Sequence, residues 1–224
     1  MTTTTSTPTS AASLVWITPD AAKLITHCAR VSSPVNQETN ANPERLISYL
    51  VKHGHWSPFE MASACFEINT TRDISAQILR HRSFSFQEFS QRYAAAGLLG
   101  TASVPELRLQ DATNRQNSIQ VAQPSEELEV FASEIGDLFD QAEDLYQRLL
   151  DAGVAKECAR KVLCLNTPTR LYMSGTIRSW IHYLAVRTGP ETQLEHRQIA
   201  QAIAGILSEH LPSLGHLFHC GDSL

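Results

Sequence analysis

Phe59-Glu60-Met61-Ala62-Ser63-Ala64-Cys65-Phe66-Glu67-Ile68-Asn69-Thr70 runs directly into Thr71-Arg72-Asp73-Ile74-Ser75-Ala76-Gln77-Ile78-Leu79-Arg80-His81-Arg82. In the first half Ala64, Phe66 and Ile68 share one face against Cys65, Glu67 and Asn69. That period of two predicts a half-buried strand, with a bulge where the phase slips near Met61. In the second half Thr71 or Asp73 can cap a helix carrying Ile74, Ile78 and Leu79. A strand that feeds a helix ending in a cationic cluster sets the expected class as α+β.

Upstream, Leu14-Val15-Trp16-Ile17 reads as a short strand, and Pro19-Asp20 opens a helix to about Arg30. A second helix starts at Pro43 and runs to about His53, with Gly54 as its natural C-cap, before the turn His55-Trp56-Ser57-Pro58. Downstream, Gly97 to Pro124 shows no period and reads as a loop. Ser125 to Ala152 is the strongest amphipathic helix. Leu128, Phe131, Ile135, Leu138, Phe139, Ala142, Leu145, Tyr146 and Leu149 form its stripe, and Gly153 ends it. Further helices are expected over about 154–163, 177–187 and 190–210, the last opened by Pro190. There are no repeats, no regular β-α-β alternation and no G-x-G-x-x-G, so a Rossmann cofactor site is not indicated. The expected organisation is a disordered Thr/Ser/Ala tail over 1–13 and a single helix-rich domain over 14–224.

The 224 residues suffice for one sizeable core, and 42% hydrophobic with 18% charged residues is ordinary for a globular protein. A net charge of -5 argues against a protein that grips a nucleic-acid backbone, since that work uses a basic excess. The five cysteines (Cys28, Cys65, Cys158, Cys164, Cys220) are odd in number and form no C-x-x-C pair. A disulfide framework or zinc knuckle is not expected, and a reducing, cytoplasmic setting fits. His53 and His55 stand two apart beside Gly54, a weak metal pattern, so no metal is expected. No apolar run is long enough to span a membrane.

The densest polar sequence is Arg80-His81-Arg82-Ser83-Phe84-Ser85-Phe86-Gln87-Glu88-Phe89-Ser90-Gln91-Arg92-Tyr93. Its phenylalanines can anchor the segment while arginine forks and serine hydroxyls face an oxyanion such as phosphate. Glu88 would repel a phosphate, so it orients an arginine or bonds a sugar hydroxyl or base. Composition alone leaves a solvated, salt-bridged loop equally open. It also leaves RNA binding by arginine and phenylalanine stacking, against which the acidic balance weighs.

This stretch resembles the signature of the flavin-dependent thymidylate synthases, R-H-R-x-x-S-x-x-E-x-S-x-R-Y, matched through Ser85, Glu88, Ser90, Arg92 and Tyr93. His55-Trp56-Ser57-Pro58-Phe59-Glu60 is similar to the family's upstream H-x-[ST]-P-F-E. Glu157-Cys158-Ala159-Arg160 with Leu165-Asn166, and Ile177-Arg178-Ser179 with Leu184-Ala185-Val186-Arg187, resemble its downstream segments. The resemblance covers about 30–195, with 97–153 the weakest stretch.

The resemblance implies a central, mainly antiparallel sheet flanked by helices. It also implies conversion of dUMP to dTMP with 5,10-methylenetetrahydrofolate as carbon donor, FAD as cofactor, NADPH as reductant and no cysteine nucleophile. Gln77, Arg80, Glu88, Phe89, Ser90, Gln91, Arg92, Arg160 and Arg187 fall at dUMP positions. Arg187 also falls at the catalytic uracil edge. His55, Ser57, Arg80, His81, Arg82, Ser83, Glu88, Thr176, Ile177, Arg178 and His182 fall at FAD positions. The family is homotetrameric with shared sites, so Arg80 would serve a neighbouring subunit's nucleotide. Met61, Gln87, Thr176 and His182 depart from common family residues. A nucleotide- or RNA-binding module that keeps the pocket without catalysis is the alternative that Met61 and Thr176 leave open.

Overall fold

The computed structural model describes residues 11–39 and 42–219, so residues 1–10 of the expected tail and 220–224 lie outside it. Strand β1 (Ala11–Ile17) starts three residues before Leu14, so Ala11 to Ser13 belong to the sheet and not to a tail. Helices α1 (Ala21–Ala29), α2 (Pro34–Thr39) and α3 (Pro43–Lys52) follow. The Asn42 side chain caps α3 by accepting from the Arg45 N–H at 3.1 Å, and Pro43 stands where its missing N–H costs nothing.

The decisive stretch folds as expected, with shifted ends. Strand β2 (Ser63–Thr71) is preceded by a 3-10 turn at Ser57–Glu60 and runs into α4 (Arg72–Ile78). Strand β3 (Ser85–Glu88) lies inside the polar segment. The expected loop at 97–124 contains a small antiparallel pair, β4 (Leu109–Gln110) with β5 (Ser118–Ile119). The long helix is α5 (Glu126–Asp151), capped by Ser125, whose hydroxyl accepts from the Leu128 N–H. The C-terminal half adds α6 (Lys156–Ala159), β6 (Pro168–Thr176), α7 (Ile177–Arg187), α8 (Leu194–His210) and α9 (Gly215–Phe218). Strands β1, β2, β6 and β3 bond in that order. Side-chain bonds Arg170–Asn69 and Tyr172–Glu67 step in opposite directions along β6 and β2, as antiparallel neighbours do. The fold is α+β.

Two expected helices are shorter than their sequence patterns. The helix expected over 154–163 is only α6 followed by a 3-10 turn at Arg160–Val162. The Val154 N–H bonds the Leu149 carbonyl and the Gly153 N–H bonds that of Leu150. This paired closure of α5, with Gly153 at φ 78°, commits Val154 to ending one helix and keeps it from starting another. Pro190 does not open the last helix. The Thr192 N–H bonds the Gly189 carbonyl and the Thr192 hydroxyl bonds that of Val186, so Pro190 sits in a turn four residues ahead of α8.

The chain divides into two compact units. Among the described residues, one gathers Asn69–Leu79 and Glu88–Leu171; the other gathers Ala11–Ile68, Arg80–Gln87 and the chain from Tyr172 on. In the second, α8 packs on β1, α7 and α9 around Ile25, Phe66, Trp180, Leu184, Ile203 and Phe218, all fully buried. In the first, Tyr146 of α5 anchors a small core with Ala96 and Ala159, its hydroxyl accepting from the Ala96 N–H at 3.0 Å. The rest of the α5 stripe is only partly covered: Leu128, Ile135, Phe139, Ala142 and Leu149 are half-buried, while Phe131 is 45% and Leu138 58% exposed.

Candidate active site

The expected site residues fall into two groups, one in each unit. In the first unit Ser90 and Arg92 line an open cleft of about 350 Å³ with Tyr93, Ala155, Lys156 and Glu157. The Ser90 carbonyl accepts from the Tyr93 and Ala94 N–H groups, a turn that carries the segment out of β3. Arg92 lies 3.2 Å from Glu157, an exposed pair of little energetic weight that an incoming phosphate can replace. Lys156 was not anticipated. It adds a second cation, and its only sequence signal was its place beside Glu157. Arg160 and Gln77 are half-buried, whereas Gln91 is almost wholly buried.

Glu88 is tied down on the same unit. Its Oε1 accepts from Arg72 at 2.8 Å, from the Ser75 hydroxyl at 2.7 Å and from the Thr169 hydroxyl at 3.0 Å. The arginine that Glu88 orients is therefore Arg72, one turn of α4 before Ser75, which the sequence did not single out. Phe89 is held beside it by a backbone bond to Arg170.

In the second unit Arg80, Arg82, Ser83, Arg178 and His182 are exposed, and Thr176 and Arg187 half-buried. Thr176 caps α7, its hydroxyl accepting from the Ser179 N–H at 3.2 Å. The Ile177 N–H is spent on the Ala62 carbonyl, and the Ile177 side chain is buried. Arg178 pairs with Glu60, and the Ser179 hydroxyl reaches the Ser83 carbonyl. Upstream, the exposed His55 ring stands edge-on to Tyr49 at 6.1 Å, and Ser57 opens the 3-10 turn. A methyl group at Gly175 would come within 2.5 Å of the Phe84 ring, so β6 needs glycine where that ring packs. These exposed guanidinium groups, with the hydroxyls beside them, are of a chemistry that fits a phosphorylated flavin.

Beside them a cluster runs from half-buried Arg187 and His81 to fully buried Tyr183 and His196. Arg187, the last residue of α7, donates its Nε–H to His81 Nε2 at 2.9 Å. Tyr183 and His196 are fully buried and bond each other at 3.0 Å. Burial, then the Arg187 charge, then His182 and Arg80, lower His81 to about 4. Burial and then Arg187 and His81 lower His196 to about 3, and burial pushes the Tyr183 hydroxyl up. All three are uncharged at neutral pH. Tyr183 and His196 were not anticipated: within their helices they read as ordinary core positions.

This cluster has a measurable consequence. Below the ordinary histidine value of 6.5 the unfolded chain takes up protons that folded His81 and His196 refuse until about 4 and about 3. Stability therefore holds above 6.5 and is lost as pH falls toward 4. Asp111, held low by Asn114 and Thr113 N–H groups, acts only below its ordinary 3.8 and so outside that window. Urea midpoints measured across it should fall for the parent and fall less steeply for His196→Leu. Parallel declines would remove His196 from this account.

The family described as "Thymidylate synthase complementing protein" matches residues 13–213. The chain is 47% identical over 194 residues to a "Probable flavin-dependent thymidylate synthase" of Paramecium bursaria Chlorella virus 1, covering 87% of this chain and 88% of that one. It is 50% identical over 191 residues to the "Flavin-dependent thymidylate synthase" of Synechocystis sp., covering 85% and 86%. Among solved structures, the UMP/dUMP methylase PolB of Streptomyces cacaoi bound with 5-Br dUMP superposes with a TM-score of 0.81 at 25% identity, over 93% of this chain and 94% of that one.

Proposed function

The chain belongs to the flavin-dependent thymidylate synthase family, and from that premise we propose that it methylates dUMP to dTMP, with 5,10-methylenetetrahydrofolate as carbon donor, FAD as its flavin and NADPH as reductant. The observation that carries this reading is Arg187. Its guanidinium is half-buried and spends one N–H on a neutral histidine, which leaves its outer pair of N–H groups for a planar acceptor edge. A uracil ring offers such an edge.

Each group of residues then has a part. Ser90, Arg92 and Arg160 take the nucleotide phosphate, with Lys156 adding charge. Gln77, Phe89 and Gln91 shape the nucleotide site, and Glu88 receives a sugar hydroxyl on the oxygen that Arg72, Ser75 and Thr169 do not use. Arg80, His81, Arg82, Ser83, Thr176, Ile177, Arg178 and His182, with His55 and Ser57, hold FAD, which when bound supplies the reducing equivalents. Arg187 stabilises negative charge on the pyrimidine as C5 becomes nucleophilic.

A cysteine adduct is not needed. Burial raises the thiols of Cys65 and Cys164, which makes them poorer nucleophiles. Replacing Cys28, Cys65, Cys158, Cys164 and Cys220 together by Ser or Ala should leave dTMP formation within a few-fold of the parent. Complete loss in a folded, yellow variant would overturn the cysteine-free reading.

A homotetramer with shared sites fits the exposed Phe131, Leu138 and Leu145 of α5, since contiguous exposed apolar side chains mark interaction surfaces. A cytoplasmic setting fits free thiols, and no helix among the described residues is long and apolar enough to cross a membrane. The deciding experiment is dUMP-dependent NADPH oxidation with dTMP detected. NADPH oxidation without dTMP would overturn the synthase reading, and a colourless protein that binds only nucleotide would favour a binding module.

A further inference from the structure

The surroundings of Arg187 carry an inference about how that side chain is aimed. A guanidinium has five N–H donors in one plane. Using Nε–H on a fixed acceptor sets both the plane and the direction in which the outer pair points. The acceptor here is His81 Nε2 at 2.9 Å, so the proton of that ring sits on Nδ1 and the ring is neutral.

The ring is itself wedged. It meets Tyr183 edge-on at 4.9 Å and 81°, Phe84 at 6.5 Å and 89°, and His196 at 6.4 Å and 85°. Tyr183 cannot slide away, because its hydroxyl is bonded to His196 in a fully buried pocket. Phe84 is pressed on Trp180 at 4.7 Å and on the bare face of Gly175. Each of these three rings is thus fixed by a second contact.

We propose that His81 is a positioning residue for Arg187: the wedged, neutral ring holds the guanidinium by its Nε–H so that the outer N–H pair is presented to the pyrimidine. This rests on the thymidylate synthase reading and adds a task for His81 distinct from flavin binding. A cation could not replace the ring, because it offers no lone pair and would repel Arg187.

Two substitutions separate the tasks. His81→Gln places an amide oxygen near the position of Nε2, whereas His81→Leu keeps bulk without an acceptor. Each is prepared with FAD, its flavin content measured, and compared with the parent in two ways. The first is the Arg187 Nε–H resonance in ¹⁵N-arginine protein, identified by its loss in Arg187→Lys; a bonded Nε–H exchanges slowly with water. The second is kcat and KM for dUMP.

The expected result is that His81→Leu loses the slow Arg187 signal and about tenfold or more in kcat, with KM for dUMP little changed. His81→Gln should regain the signal and most of kcat at equal flavin content. The proposal is overturned if the signal survives in His81→Leu. It is also overturned if both variants lose activity in step with their flavin, which would make His81 a flavin ligand only. Should the parent form no dTMP at all, the functional reading fails, while the resonance still decides whether His81 holds Arg187.

Discussion

Arg187→Lys is expected to lose at least ~10²-fold in dTMP formation at saturating dUMP, the scale seen when one preorganised donor to a developing oxyanion is removed. Uracil is a poor nucleophile at C5 until negative charge develops over N3, O2 and O4. Without a thiol adduct, fixed donors at the ring edge must stabilise that charge. Lysine keeps the charge but concentrates it on one rotating ammonium, and it has no Nε–H in the plane of a fork. It therefore loses both the hold of His81 Nε2 and the parallel outer pair. The half-buried setting makes the loss larger than it would be in water. Flavin content should be kept, and NADPH oxidation, which needs no activated uracil, should change much less. The measurement is single-turnover dTMP formation from pre-reduced enzyme beside a dUMP titration. Turnover within a few-fold of the parent at saturation would mean that Arg187 only binds, and activation would have to lie elsewhere.

The parts of this site that were legible in the sequence are those written in one short stretch. Arg80 to Tyr93 concentrates its arginines, serines and glutamate in one stretch, so the family signature is readable without a fold. Helix α5 was legible for a similar reason: the Ser125 cap, the apolar period and Gly153 all lie on one continuous segment. Strand β6 is harder to read: Thr169, Leu171 and Met173 are buried while Arg170 and Tyr172 are exposed, but the alternation is short and Thr169 is polar. Its cross-strand partners Asn69 and Glu67 belong to a distant stretch, and only pairing makes them neighbours.

The same limit hid the supporting residues. Arg72 reads as a first-turn helix residue until β3 brings Glu88 to it. Tyr183 and His196 read as two core positions on two helices until packing makes them one hydrogen bond. Helix ends failed for a local reason: the backbone bonds of Val154 and Thr192 outweighed propensity. The departure at Thr176 has a simple account: threonine is a good N-cap, and the Thr176 hydroxyl does that work for α7.

The second large effect is expected at Trp180. Its ring is fully buried and meets Phe84 at 4.7 Å, Phe66 at 5.0 Å and Tyr183 at 5.7 Å, each edge-on. Its indole N–H donates to the Ala64 carbonyl at 3.2 Å, tying α7 to β2. Trp180→Ala removes the transfer energy of the largest core side chain and leaves a cavity, together about 3–5 kcal/mol. Domains have only about 5–15 kcal/mol in total, so the variant should sit near the edge of folding. Trp180→Phe keeps most of the ring and should lose about 0.5–1.5 kcal/mol for the hydrogen bond, plus a smaller cavity term. Urea unfolding, followed by far-UV circular dichroism because the fluorophore itself is changed, gives the two numbers. Phe84 and Tyr183 are the rings that wedge His81, so folded Trp180→Ala should also lose kcat for dTMP beyond its loss of folded protein, with flavin content as the control. A cost for Trp180→Ala under about 1 kcal/mol would show that Phe66, Phe84 and Tyr183 collapse into the space, and that the wedge is softer than its geometry implies.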